Sequence, residues 1–243
     1  MQGRPGSREI AGAAQCPLPL LPSAHGGNRV KLPGRGVRHL DTLAVDPLYC
    51  APSFYPLHPL MLQRDLQQAL HGRTHALRDR IAGITRPLDP EQLLRRPPDG
   101  GWSVGHVLEH LCVTWELYEP PVRTLLRGAR PDAAAPMREW KPTLIGGFMA
   151  RSFENPRKLP SPKSMAPAAS PRGGVVEALL TQLDAQARLL DDASGHDWHR
   201  LRMASPAVPL PLKVFNLGDV FSILVVHAER HTRQMERVVR AMD

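Results

Sequence analysis

The segment Asn216–His231, NLGDVFSILVVHAERH, is the most informative part of the sequence, because it combines a helix start, a long apolar stripe and two histidines one turn apart. Asn216 is a favourable N-cap residue, and Asp219 places a negative charge in the first turn, where it suits the helix dipole. Beyond it, apolar residues recur at steps of three and four. The segment therefore predicts an amphipathic helix that begins near Asn216 and carries His227 and His231 on or beside its buried face.

Three segments upstream show the same helical periodicity. The first begins near Leu62 and stops near Pro87, the second begins after Ser103, and the third runs from about Gly174 to Asp191. Strand-like alternation is scarce throughout. The sequence therefore predicts one all-α domain of four helices over about residues 61–243.

The second helix has a well-defined start and an irregular end. Ser103 is a natural N-cap residue, and Trp102 and Val107 are placed to form a hydrophobic staple across it. Pro120 and Pro121 follow within the same apolar pattern. Because a proline lacks the amide hydrogen that an inner helical turn needs, we expect this pair to kink or interrupt the helix.

The second and third helices are joined by a connection of about 45 residues, roughly 127–173. Its many prolines oppose a long fifth helix. A connection of this length can cross the bundle, so that the helices it joins run parallel. It also carries a loose basic cluster, formed by Arg151, Arg157, Lys158 and Lys163.

Residues 1–60 differ in composition from the rest of the chain. Gly and Pro occupy 16 of these 60 positions, and no helical period persists. We expect a disordered or loosely packed extension. A second hypothesis is that translation starts at Met61 and that residues 1–60 are not native.

Composition and charge exclude several classes of protein. The net charge is +8, but the basic residues are scattered and only 5% of residues are aromatic, which argues against a nucleic-acid-binding surface. The three cysteines are odd in number and far apart, so we expect no disulfides, reduced thiols and a cytoplasmic location. Cys112 is interpreted as a core thiol. No apolar run is long enough to predict a membrane span.

His110 on the second helix changes the interpretation of the late histidine pair. His227 and His231 alone could be two core histidines with local hydrogen bonds. His110 lies beside Leu111 on an inward face, so three imidazoles from two helices can converge. Three nitrogen ligands with an open position suit a catalytic metal, and zinc, nickel and iron are all compatible with them.

Two common metal motifs are absent. A zincin needs HExxH, but Ala228 follows His227. A di-iron bundle needs Glu-x-x-His on two of its helices. The residues three before His110, His227 and His231 are instead Val107, Leu224 and Ala228.

The neighbouring polar residues yield no predicted catalytic residue. His106 could be a fourth ligand or donate a hydrogen bond behind one, but its place in the first turn favours a solvent-facing side chain. Glu109 and Glu229 are expected to be solvated or to lie behind the ligands. The sequence shows no nucleophile triad, phosphate-binding loop or evident general base.

The chain resembles the DinB/YfiT-like superfamily at Trp102-Ser103, at His110-Leu111 and at the pair His227 and His231. The resemblance spans about residues 61–243. It implies an up-down-down-up four-helix bundle with a long second connection, and a divalent metal held by His110, His227 and His231. It also implies relatives that are metal-dependent transferases and isomerases using low-molecular-weight thiols such as bacillithiol or mycothiol.

These observations support two main hypotheses. The first is an enzyme in which the metal presents a thiolate to a small-molecule electrophile, with Arg157, Lys158 and Lys163 attracting the carboxylates of the thiol cofactor. The second is a non-catalytic, metal-stabilised or ligand-binding module, with a homodimer formed through exposed helix faces. A DNA-binding protein is suggested by charge alone.

Overall fold

The computed structural model describes residues 61–154, 161–207 and 212–242. The predictions for residues 1–60 and for the side chains of Arg157 and Lys158 lie outside these residues. The elements in chain order are β1 (Met61–Leu62), α1 (Gln63–Thr85), α2 (Pro90–Leu94), α3 (Val104–Gly128), β2 (Glu139–Trp140), α4 (Leu144–Glu154), α5 (Val175–Asp192), β3 (Arg202–Met203), β4 (Phe215–Asn216) and α6 (Leu217–Arg240).

Ion pairs show that α1 and α6 run parallel. Arg73 binds Glu229 through two hydrogen bonds of 2.7 and 2.6 Å, and Arg80 binds Glu236 in the same way, about two turns further along both helices. Residue numbers therefore rise together along the two helices.

The contacts of α5 give the remaining directions. On α1, Thr74 bonds Gln186 and Arg78 pairs with Asp184, so α1 and α5 are antiparallel. On α3, Glu116 accepts a hydrogen bond from Gln182, and Arg123 pairs with Asp192, so α3 and α5 are parallel. The four long helices thus run up, down, down and up, which confirms the predicted bundle and the parallel pair across the long connection.

The start of α6 is fixed by a reciprocal capping arrangement. The Asn216 side chain accepts from the Asp219 amide at 2.8 Å, and the Asp219 carboxylate accepts from the Asn216 amide at 3.0 Å. Asp219 also accepts from the amide of Thr143, just before α4, and the Trp140 indole donates to Asn216. The predicted N-cap is confirmed, and its buried polar groups attach α4 to the start of α6.

α6 is buried on more than the predicted stripe. Residues 217–228 are all buried, including Ser222, because α1 and α3 cover one side of α6 and α4 covers another. The sequence pattern showed only the face toward the other long helices. Cover by α4 explains why the remaining positions in this stretch are mostly apolar as well.

One expectation for the middle of the chain is corrected. α3 continues through Pro120 and Pro121, so a predicted interruption is wrong, and the alternative of a kink stays a prediction; buried Tyr118 and Val122 on either side hold the helix in the bundle. The connection of residues 127–173 also contains the 11-residue α4, which lies between prolines 142 and 156. The sequence predicted only that the prolines oppose a long helix here, and α4 is shorter than the four long helices. The short α2, which begins at Pro90, was not predicted either.

Within the described ranges, none of the helices combines the length and the hydropathy needed to cross a membrane. Cys112 is buried with a free thiol, and burial raises its pKa to about 12, which agrees with a core thiol. The cytoplasmic location stays a prediction.

Close packing at the start of α4 predicts the effect of one added methyl group. A Cβ at Gly146 would overlap the Asp219 carboxylate, which is held in place because it accepts hydrogen bonds from the amides of Thr143 and Asn216. We expect Gly146→Ala to lower the free energy of unfolding by about 1–3 kcal/mol. Gly72 in α1 has open space around its Cβ position, so Gly72→Ala is the matched control and should raise that free energy by roughly 0.5–1 kcal/mol. Urea denaturation measures both; a Gly146→Ala protein as stable as the wild type would contradict the described packing.

Candidate metal centre

The bundle brings the three predicted histidines together. His110 lies in the second turn of α3, and His227 and His231 lie one turn apart on α6, which runs antiparallel beside it. One ring nitrogen from each lies within 4.8 Å of the others. The residues are only 2, 6 and 9% exposed, respectively. The structure therefore forms a buried cluster of three imidazoles, which we call the histidine cluster.

Aromatic side chains surround the histidine cluster. The Trp102 ring lies 5.0 Å from the His110 ring and stacks on that of His231 at 6.3 Å. Phe153 of α4 lies edge-on to His227 at 5.1 Å. Trp102, predicted as half of a hydrophobic staple, thus also forms a wall of the site. The role of Phe153 was not predicted, because no local pattern places α4 against α6.

Oxygen acceptors determine which nitrogen carries the proton in two of the rings. Nδ1 of His110 lies 2.6 Å from the Met165 carbonyl oxygen, and Nδ1 of His231 lies 2.8 Å from Oε1 of Gln234. Since these oxygens can only accept, both Nδ1 atoms carry a hydrogen. In each neutral ring Nε2 then keeps its lone pair. This arrangement is typical of metal-ligating histidines, whose second nitrogen donates to an oxygen.

His227 completes the cluster by a ring-to-ring contact. Its Nε2 lies 3.1 Å from Nε2 of His110. Because Nε2 of His110 is an acceptor, His227 donates the proton of this hydrogen bond. To bind a cation through Nε2, His227 would carry its ring proton on Nδ1 instead, which frees the Nε2 lone pair.

Burial keeps the three imidazoles uncharged. It is the largest cause of the lowered pKa of each ring, and the pKa of His231 falls to about 3. Mutual repulsion adds to the effect, from His231 and His110 on His227 and from His110 on His231. Neutral imidazole is the form that binds a metal, so the cluster is ready to act as a ligand at neutral pH.

His106 does not join the cluster, and its expected exposure is wrong. It is buried, with Nδ1 2.7 Å from the Ser103 hydroxyl and Nε2 3.1 Å from the Ala169 carbonyl oxygen. The loop before α5 covers this first turn of α3, which excludes the solvent that the sequence position suggested.

Both glutamates form ion pairs instead of facing solvent freely. Glu109 is buried against Arg172, which donates from its backbone amide and its guanidinium. Burial raises the pKa of Glu109, but the hydrogen bonds and charge of Arg172 outweigh it, so the pKa is lowered overall. Glu229 is half-buried in its pair with Arg73. Neither carboxylate is in the histidine cluster.

The predicted thiol-binding residues are only partly described. Lys163 is exposed and opens a short 3-10 helix that ends at Met165, the partner of His110. Arg157 and Lys158 lie outside the described residues. Their predicted role in binding a cofactor stays a prediction.

A small cavity borders the histidine cluster. It has a volume of about 20 Å³, room for roughly one water molecule, and lies between α3, α5 and α6. Leu111, Thr114, Leu183 and Leu224 line it together with His227. One face of His227 therefore adjoins an open, largely apolar space.

Comparisons with known proteins give a family and a fold. Residues 73–235 match the family model of the DinB superfamily. The structure of YfiT from Bacillus subtilis, described as a probable metal-dependent hydrolase with an unusual four-helix bundle topology, is similar with a TM-score of 0.50 and 15% sequence identity. The similarity covers 77% of this chain and 93% of that one. At this identity the likeness shows the fold. A comparison with curated proteins finds no match.

The lowered pKa values predict how stability depends on pH when no metal is bound. An unfolded histidine titrates near pH 6.5, whereas folded His231 titrates near 3. Between these values the unfolded state binds the extra proton, so stability falls as pH falls below about 6.5. From pH 8 to pH 5, the free energy of unfolding should fall by about 2 kcal/mol less in His231→Gln than in the wild type. Urea denaturation in the presence of a chelator measures this.

The exposed His199 provides the control for this measurement. His199→Ala should keep the wild-type dependence on pH. Equal pH dependence for wild type and His231→Gln would contradict a buried, neutral His231.

Proposed function

The chain belongs to the DinB superfamily, and from this membership and its histidine cluster we propose that it is a divalent-metal-dependent enzyme. His110, His227 and His231 are the proposed ligands, each through one ring nitrogen. The convergence of three buried, neutral imidazoles is the observation that carries the proposal.

The energetics of the cluster favour a metal. The three imidazoles are desolvated and packed against one another, and within the described residues oxygen acceptors pair with Nδ1 of His110 and of His231. The Nε2 atoms of His110 and His227 meet each other instead of water, and taking a polar group out of water without a full set of hydrogen bonds costs on the order of 1–3 kcal/mol. One cation bound to three lone pairs would offset this cost in a single step.

The donor set suits a catalytic metal more than a structural one. No fourth histidine, cysteine or carboxylate of the described ranges joins the three rings. Structural zinc sites have four protein ligands, whereas catalytic sites keep a position for water or substrate. Zinc, nickel and iron all accept three imidazoles.

We propose a thiol-dependent transferase or isomerase reaction on a small electrophile. The bound metal would lower the pKa of a low-molecular-weight thiol and hold it as a thiolate. Trp102 and Phe153 would exclude water from the histidine cluster. Arg157, Lys158 and Lys163 are the proposed partners of carboxylates on the thiol.

Two other functions compete with this one. Hydrolysis, with water as the nucleophile, is the activity attributed to YfiT. A non-catalytic metal-stabilised module would use the metal only for stability, and a homodimer could then form through the apolar residues Leu144, Ile145 and Phe148, which α4 exposes.

Metal content tests the proposed ligands. We expect freshly purified protein to contain about one divalent metal ion per chain, and His227→Ala to bind that metal at least about 10-fold more weakly. His199→Ala, which removes an exposed histidine outside the cluster, should keep the wild-type content. Elemental analysis and metal titration measure both. Unchanged metal affinity in His227→Ala would overturn the assignment.

Turnover by the metal-loaded protein separates the three functions. A panel of electrophiles is offered with bacillithiol, with mycothiol and without any thiol, with His227→Ala as the control. Product that needs both metal and thiol supports the proposal. Product without thiol indicates hydrolysis, and no product with any substrate supports the non-catalytic module.

A further inference from the structure

The loop between α4 and α5 contacts α3 at three points near the histidine cluster. His110 donates to the Met165 carbonyl oxygen, His106 lies within hydrogen-bond distance of the Ala169 carbonyl oxygen, and Glu109 binds Arg172. These α3 residues occupy positions i, i+3 and i+4, so they lie on neighbouring faces of the same two turns. The described part of the loop is thus attached to α3 along its length.

Arg172 makes the strongest of these attachments. Its amide donates to Glu109 at 3.1 Å, and Nε and Nη2 donate to the same carboxylate at 2.9 Å. Nη1 donates to Glu116, two turns beyond Glu109 on α3, at 2.5 Å. One guanidinium therefore joins two carboxylates of the same helix. Such forked, charge-assisted bonds fix both distance and direction.

The chain between Met165 and Arg172 is short and stiff. Only seven peptide units separate Met165 from Arg172, and Pro167 and Pro171 restrict their backbone. Pro171 also packs close to Gly105 on α3. The Met165 side chain is itself buried. Fixing Arg172 therefore limits where the Met165 carbonyl oxygen can lie.

The position of this carbonyl determines the chemistry of His110. While it accepts from Nδ1 at 2.6 Å, the proton stays on Nδ1 and Nε2 keeps the lone pair that faces His227. Without this hydrogen bond, the ring can carry its proton on Nε2. That nitrogen then lacks the lone pair that the proposed metal requires.

We propose that Arg172 is a positioning residue for the metal site: by binding Glu109 and Glu116 it holds the loop so that Met165 fixes the tautomer and direction of His110. This proposal rests on the proposed function for its consequence, namely tighter metal binding. The tautomer of His110 can be measured without any metal.

The test compares Arg172→Gln combined with Glu109→Gln against the wild type. The paired change avoids leaving a buried carboxylate without a partner. In the metal-free protein at pH 8, long-range ¹H–¹⁵N spectra should show His110 of the wild type as the single Nδ1–H tautomer and a mixture in the variant. His110→Gln identifies the signals. Titration with Co²⁺ should give an affinity about 10-fold lower in the variant.

Arg123→Gln is the matched control, because Arg123 pairs with Glu119 on the same helix and with Asp192 at the end of α5, and not with the described part of the loop. It should keep the tautomer and the affinity of the wild type. If the double variant does not fold, Arg172→Lys serves instead, since lysine keeps the charge but cannot donate the forked bonds; the same shift of tautomer is expected.

The outcomes distinguish this proposal from the proposed function. A folded variant that keeps a single Nδ1–H tautomer and wild-type Co²⁺ affinity overturns the positioning role, as does a wild-type His110 protonated at Nε2. A wild type that binds no Co²⁺ while the tautomer still changes in the variant overturns the proposed function and leaves the positioning role supported.

Discussion

Three uncharged imidazoles are buried between α3 and α6, and distant segments of the chain are held against them. Each ring loses its hydration, so its nitrogens need partners inside the protein. The Met165 carbonyl oxygen accepts from His110, and the Gln234 side chain accepts from His231. His227 and His110 form a third hydrogen bond with each other. The aromatic rings of Trp102 and Phe153 complete the enclosure. The cluster thus depends on α3 and α6, which carry the rings, on the loop before α5, which supplies Met165, and on α4, which supplies Phe153.

Much of the fold and the cluster could be predicted from local sequence patterns. The four long helices follow from apolar periodicity, and the starts of α3 and α6 follow from the capping residues Ser103 and Asn216, because these signals act within a few residues. A spacing of four places His227 beside His231 on any helix. The inward position of His110 follows from the same periodicity. The convergence of the three histidines could therefore be predicted from the sequence.

What could not be predicted depends on contacts between distant segments. Met165 lies 55 residues from His110, and Arg172 lies 63 residues from Glu109, so no local pattern links them. His106 was expected in solvent because a first turn is usually exposed, yet the distant loop covers it. The continuity of α3 through Pro120 and Pro121 likewise depends on packing against the other helices. Gln234 is the exception: three residues after His231 on the same helix, it could have been found from spacing alone.

Anomalous diffraction from crystals of the zinc-loaded protein would show whether one metal ion binds among His110, His227 and His231. Data collected on both sides of the zinc absorption edge locate the ion independently of any assumed ligand. We expect one strong peak at about 2.0–2.1 Å from a ring nitrogen of each histidine. A peak at other residues, or no peak among the three rings at full zinc loading, would contradict it.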